Sequence, residues 1–189
     1  KAAAPKTALV GGISSAARML PDDNGVPFKV TRAQGPYLWD QAGRRYVDFA
    51  LGFGGTILGH AHPDVVAASQ AAVANGSLPA FAYEGEELAA RALVRLTGAL
   101  TQVSFVNSGS EAVHLACKIA RAATGRSRIA KLAGSYDGWY EDVAFGMVGA
   151  PESLMAGERP DNGRTVLLRY NDIDDVERLD PALEDVLAA

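Results

Sequence analysis

Sulfur and imidazole are scarce in this chain. One cysteine, Cys117, is present, so no disulfide can form within it, and a reducing compartment such as the cytoplasm is the simpler setting. Among the three histidines, His60 and His62 stand two residues apart before Pro63 and lack a third ligand at suitable spacing. That spacing argues for a structural turn and for no metal site. An excess of basic charge is also missing: the net charge is -4, which gives no electrostatic reason to expect nucleic acid or an anionic membrane as partner. The apolar run from Ala8 to Ile13 is too short for a membrane helix and is interrupted by Gly11 and Gly12. Nucleotide fingerprints are absent as well. The sequence holds no G-x-x-x-x-G-K-[ST] and no G-x-G-x-x-G at a strand–helix junction, which weighs against a generic nucleotide-binding α/β domain.

What is present is a globular chain of 189 residues, with hydrophobic residues at 48% and charged residues at 21%, enough for a sizeable core. Residues 1–6 read as an arm outside the fold. Residues 26–50 read as a meander: strands at Phe28 to Thr31, Tyr37 to Asp40 and Arg44 to Phe49, with turns at Gln34-Gly35-Pro36 and Gln41-Ala42-Gly43. Pro63 opens a helix that Asn75-Gly76 closes. A second helix runs from Glu84 to Leu96, with Leu88, Ala92 and Leu96 at helical spacing and an acidic first turn suited to the helix dipole. From there strands and helices alternate. Strands are expected at 102–106, 128–132 and 165–170. Helices are expected at 110–123 and 174–188, the latter with a break before Pro181. Such alternation argues for an α/β layer with a parallel sheet. Residues 146–163, with Pro151, Gly157, Pro160 and Gly163, read as a long surface loop. The last helix has no closing cap before Ala189, so the natural chain is expected to continue.

One junction invites chemistry. Val103 to Val106 is apolar enough for a buried strand, Asn107-Ser108-Gly109-Ser110 breaks it, and a helix begins at once. Free N–H groups at a helix start, reinforced by the dipole, suit an anion. Gly109 lets backbone approach closely, and the Ser108 and Ser110 hydroxyls can donate to phosphate oxygens. Ordinary capping by Ser108 or Ser110, with Glu111 in the first turn, is the simpler account on chemistry alone. On the helix itself, Cys117 falls on a packed face with Val113, Ala116 and Ala120, and reads as a small core residue and not a nucleophile.

The order of motifs changes that balance. Gly11-Gly12-Ile13-Ser14-Ser15-Ala16-Ala17-Arg18, Gly35-Pro36-Tyr37-Leu38-Trp39-Asp40, Leu58-Gly59-His60-Ala61-His62-Pro63, Asn107-Ser108-Gly109-Ser110-Glu111-Ala112, Gly134-Ser135-Tyr136-Asp137-Gly138 and Tyr170-Asn171-Asp172 follow one another over nearly the whole chain. Together they resemble class III aminotransferases that use pyridoxal phosphate (PLP), and within them the glutamate-1-semialdehyde 2,1-aminomutase-like branch.

The resemblance implies an α/β chain of PLP-dependent transferase fold type I. Residues 1–60 would be the arm and meander of the small domain. Residues 61–189 would be the first part of the large, mostly parallel PLP-binding domain. Gly109 and Ser110 N–H groups, with a serine hydroxyl from Ser108 or Ser110, would hold the cofactor phosphate. Tyr136 would lie on the pyridine face; without the resemblance it reads as a core or turn tyrosine. Asp137 departs from the pattern, which usually has histidine there. Ser15 and Arg18 would contact a substrate carboxylate, and Phe53 would supply an aromatic pocket wall. A solvated surface arginine and a loop aromatic are the plain alternatives.

The implied reaction moves an amino group between an amino donor and a carbonyl acceptor, the cofactor alternating between PLP and pyridoxamine phosphate. In the aminomutase variant the group moves between adjacent carbons of one molecule. Decarboxylase or racemase chemistry on the same fold, and a non-catalytic fragment that keeps the fold, are the competing readings. A small amino acid or keto/aldehyde substrate and a homodimer with active sites at its interface are also implied. Lys1, Lys6, Lys29, Lys118 and Lys131 do not occur in the family's Schiff-base context. The resemblance implies that the catalytic lysine, and the acid on the pyridine nitrogen, lie in sequence beyond Ala189.

Overall fold

The computed structural model describes residues 7–15, 18, 28–76, 80–154, 162–177, 179 and 186–188. The arm at 1–6, Ala16-Ala17, the centre of the expected 146–163 loop and the break before Pro181 lie outside the described residues. The chain divides into two compact units, Lys1–Tyr83 and Glu84–Ala189.

The first unit opens with a short 3-10 turn, Val10–Gly12, and carries the expected meander. Its strands are β1 (Val30–Gln34), β2 (Tyr37–Asp40) and β3 (Arg45–Val47), paired antiparallel in that order. Two carboxylates fold its connections. Asp40 accepts from the Ala42 and Arg44 N–H groups, the Arg44 Nε and the Tyr46 hydroxyl, which fastens the turn between β2 and β3. Asp48 accepts from the N–H groups of Ala50 and Leu51 and lies 2.6 Å from His60 Nε2. His60 also bridges Gly35 through two backbone bonds of 2.8 and 2.9 Å. A side chain at Gly59 would meet the Gly35 backbone at 3.1 Å, so this crossing needs glycine. The His60/His62 pair is thus a turn, as its spacing suggests: His60 is bound to Asp48. Helix α1 (Pro63–Ala74) follows, with Pro63 in its first turn.

The second unit begins with α2 (Glu84–Thr97), whose Leu88 and Leu96 are exposed among the described residues. Helix α3 (Gly109–Thr124) leads into β4 (Arg128–Leu132), the one-turn helix α4 (Glu141–Ala144), a 3-10 turn at Pro151–Leu154, β5 (Thr165–Leu168), α5 (Ile173–Glu177) and β6 (Val186–Ala188). The sheet is parallel, with strand order β5-β4-β6. Alternation along β4 divides the core. Ile129 packs with Cys117 and Val143, flanked by Val113, Ala120 and Tyr140. Ala130 packs with Val166 and Leu168. Two buried carboxylates are matched by arginines. Asp142 is bracketed by Arg121 at 2.8 Å and Arg164 at 2.9 Å, while Asp175 takes the Arg169 N–H and both ends of its guanidinium.

Three expectations need correction. Residues 102–106 form no ladder among the described residues, and Phe105 and Val106 are exposed. A strand needs a partner edge, and none of the described residues offers one. Among the described residues, the helical tract expected over 174–188 is helical at Ile173–Glu177, and Val186–Ala188 is a strand on β4. The open edge of β4 overrides a local sequence preference for helix. Finally, Ala116 is exposed and does not join Val113 and Ala120 beside Cys117.

Candidate functional site

The start of α3 is built by its own residues. Ser108 is the N-cap: its backbone is extended and its Oγ accepts from the Glu111 N–H at 3.2 Å. The Glu111 carboxylate reaches back to the Asn107 N–H at 2.7 Å, a reciprocal arrangement close to a capping box. Ser108 C=O accepts from Ala112 N–H. Between these bonds the N–H groups of Gly109 and Ser110 have no partner among the described residues, and Gly109 is exposed. The capping account and the anion account therefore use different N–H groups and share only the Ser108 hydroxyl, which accepts from the Glu111 N–H and keeps its own proton to donate. Ser108 Oγ and Glu111 satisfy the outer donors, leaving the Gly109 and Ser110 N–H groups pointing off the helix end.

A second segment closes on this end. Gly138 packs so tightly that a Cβ there would stand 3.1 Å from Ser110 Cα and 3.2 Å from Ser110 Oγ, and its φ is +117°. Two residues earlier, Tyr136 is 62% exposed. Ser108, Gly109, Ser110 and the turn bearing Tyr136 are thus brought to one end of the second unit. The turn is held from several sides. The Ala133 N–H donates to Leu168 C=O and the Gly134 N–H to Gly146 C=O, while Ser135 Oγ bonds Leu132 C=O and Asp137 Oδ2. Beneath it, Lys131 Nζ contacts Asp137 Oδ2 at 3.0 Å, Val143 C=O at 2.7 Å and Ser135 C=O at 3.2 Å.

The remaining candidates lie in the first unit. Ser15 and Arg18 share a turn, the Arg18 N–H donating to Ser15 C=O at 2.9 Å, and both are exposed. Phe53 sits in a separate turn with φ +59° and is 76% exposed. The backbone there is left-handed, an uncommon state for an aromatic residue. Sequence reasoning passed over two contributors in the second unit. In the sequence Gly138 stands only as part of a motif, and Lys131 lacks the family's Schiff-base context. The available signal for Lys131 was a lone charge inside Ile129-Ala130-Lys131-Leu132, where strand alternation puts it on the Ile129 face.

The donor set fits a phosphate monoester: two free N–H groups at a helix start, hydroxyls at Ser108 and Ser110, and a glycine wall that a Cβ would fill. With a parallel α/β sheet behind it, this end of the second unit has the architecture of the PLP-dependent transferases of fold type I. The chain itself belongs to the class III aminotransferase family, whose sequence pattern, described as "Aminotransferase class-III", matches residues 19–176. It is 38% identical over 173 residues to a glutamate-1-semialdehyde 2,1-aminomutase of Rhodopirellula baltica, covering 87% of this chain and 39% of that protein. Among solved structures it is similar to an omega-transaminase from Sphaerobacter thermophilus, with a TM-score of 0.76 and 32% identity, covering 92% of this chain and 43% of that one. It is likewise similar to a structure described as a transaminase with PLP bound, with a TM-score of 0.77 and 31% identity over 92% of this chain and 42% of that one. The chain thus spans about two-fifths of the relatives it matches.

Proposed function

We propose that this chain is the cofactor-holding part of a PLP-dependent aminotransferase. The observation that carries the proposal is the pair of N–H groups at Gly109 and Ser110, without a partner among the described residues and walled by Gly138, in a chain of the class III family. These N–H groups and the Ser108 and Ser110 hydroxyls bind the phosphate. Tyr136 covers one face of the pyridine and keeps water from it. PLP, when bound, supplies an electron sink for charge developing at the substrate carbon. Arg18 pairs a substrate carboxylate through its planar fork, with Ser15 beside it, and Phe53 forms an apolar wall. The Schiff-base lysine and the acid opposite the pyridine nitrogen come from outside these residues. The assignment of 1–60 to the small domain and 61–189 to the large one, a homodimeric assembly and a cytoplasmic setting belong to the same proposal.

An aminomutase reading is favoured by one observation, the 38% identity to the Rhodopirellula baltica protein of that name. The two reactions differ in their demand for an external amino acceptor. A 2,1-aminomutase converts its substrate with none added, whereas an aminotransferase without an acceptor stops after the first half-reaction.

The cofactor site is tested in the full-length protein. Gly109→Val places a branched side chain over the free N–H groups. PLP retention through dialysis, followed by cofactor absorbance, should fall by about tenfold or more, the loss expected when two donors can no longer reach a charged group. Unchanged retention would remove the phosphate role from the start of α3.

A further inference from the structure

Lys131 occupies a core position. It follows Ala130 in β4 on the face shared by Ile129 and Val143, and its side chain is 3% exposed. An ammonium so buried is costly unless every donor is matched. Here its three donors meet three acceptors: Val143 C=O in α4, Ser135 C=O and the Asp137 carboxylate. Two of the three lie in the turn that carries Tyr136 and ends on Gly138 against Ser110. An apolar side chain would fill the same volume without the desolvation cost, so packing alone does not account for a lysine.

We propose that Lys131 is a positioning residue: its ammonium clamps residues 135–137 to β4 and α4 and thereby sets Tyr136 against the cofactor held at the start of α3. This rests on the proposed PLP function. Lys131 acts through Asp137 and the Ser135 carbonyl, and Asp137 has its charge matched within the protein.

The test is a double-mutant cycle in the full-length protein, with Lys131→Met, Asp137→Asn and the pair combined, and Lys131→Arg as the conservative variant. The readouts are the dissociation constant for PLP and the induced circular dichroism of the bound cofactor, which reports a fixed ring orientation, both taken well below each variant's Tm. Lys131→Met should weaken PLP binding about tenfold and shrink the induced signal, Asp137→Asn should do so less, and the combination should be no worse than Lys131→Met. Lys131→Arg should restore part of the signal. A residue that serves stability alone would lower Tm and leave the induced signal intact. That result, or additive effects of the two substitutions, overturns the proposal. If Lys131→Met does not fold, Asp137→Asn decides, and an unchanged signal in it overturns the proposal. If Gly109→Val abolishes PLP binding while Lys131→Met binds like wild type, the clamp fails and the cofactor reading survives. If the wild-type protein binds no PLP, both fall together.

Discussion

Gly138 shows how much a position without a side chain can decide. Its φ of +117° lies where L-residues are strained, and the Ser110 backbone occupies the space a Cβ would need. Neighbouring backbone cannot swing aside as a flexible side chain can. Gly138→Ala should therefore cost about 1–3 kcal/mol in folding free energy, measured by urea unfolding, and should loosen PLP in the full-length protein by displacing the start of α3. At this scale the sequence was partly legible. The Ser108 to Glu111 pattern names a helix cap from chemistry alone, and the resemblance adds Tyr136. Neither reveals why Gly138 must be glycine or why Lys131 is charged. Gly138 is fixed by a contact distant in sequence, with Ser110, and Lys131 by three acceptors, on Ser135, Asp137 and Val143, that meet only once the turn and α4 fold over β4.

Helix α3 carries its own boundaries. Ser108 caps one end, and Gly125, left-handed at φ +73°, closes the other by donating its N–H to Arg121 C=O. Ser108→Ala removes the acceptor of the Glu111 N–H and should destabilise the protein by about 1 kcal/mol. A drop in Tm with little change in far-ultraviolet dichroism would show it, since tertiary packing through Cys117 retains the helix. An unaltered Tm would mean that the Asn107–Glu111 bond suffices to start the helix. Elements with local signals were legible: α1 begins at Pro63, α3 spans its caps, and the meander turns at Gly35 and Gly43. Residues 102–106 and 186–188 were misread because a strand is defined by its neighbour. The first segment has the composition without a described partner. The second has a helix-forming composition but meets the edge of β4.

Across the whole chain, charge is not evenly committed. In the first unit, the His60 hydrogen bond, assisted by the Leu51 and Ala50 N–H groups, holds the Asp48 carboxyl below its ordinary range despite burial. For Asp40, burial acts to raise the value, but bonds from Arg44 and Tyr46 outweigh it and bring it down to about 2. A carboxyl whose folded value is depressed binds protons more readily when unfolded, so its stabilisation is present above about pH 4 and is lost as pH falls through the folded value. The meander and its His60 crossing should therefore loosen between about pH 4 and pH 2. The chain has two tryptophans, Trp39 in β2 and Trp139 in the second unit. In a Trp139→Phe protein, Trp39 emission should change across that window and recover on neutralisation. Emission that is flat across the window would show that Asp40 and Asp48 do not support the meander. The parallel sheet has a different consequence, one of timing. Its central strand β4 is made before either neighbour, since β5 begins at Thr165 and β6 at Val186. On a ribosome adding roughly 5–20 residues per second, both edges of β4 wait for seconds with their backbone groups unpaired. During that interval the nascent chain is open to pairing with other chains, so its yield in a cell depends on how fast translation delivers β5 and β6.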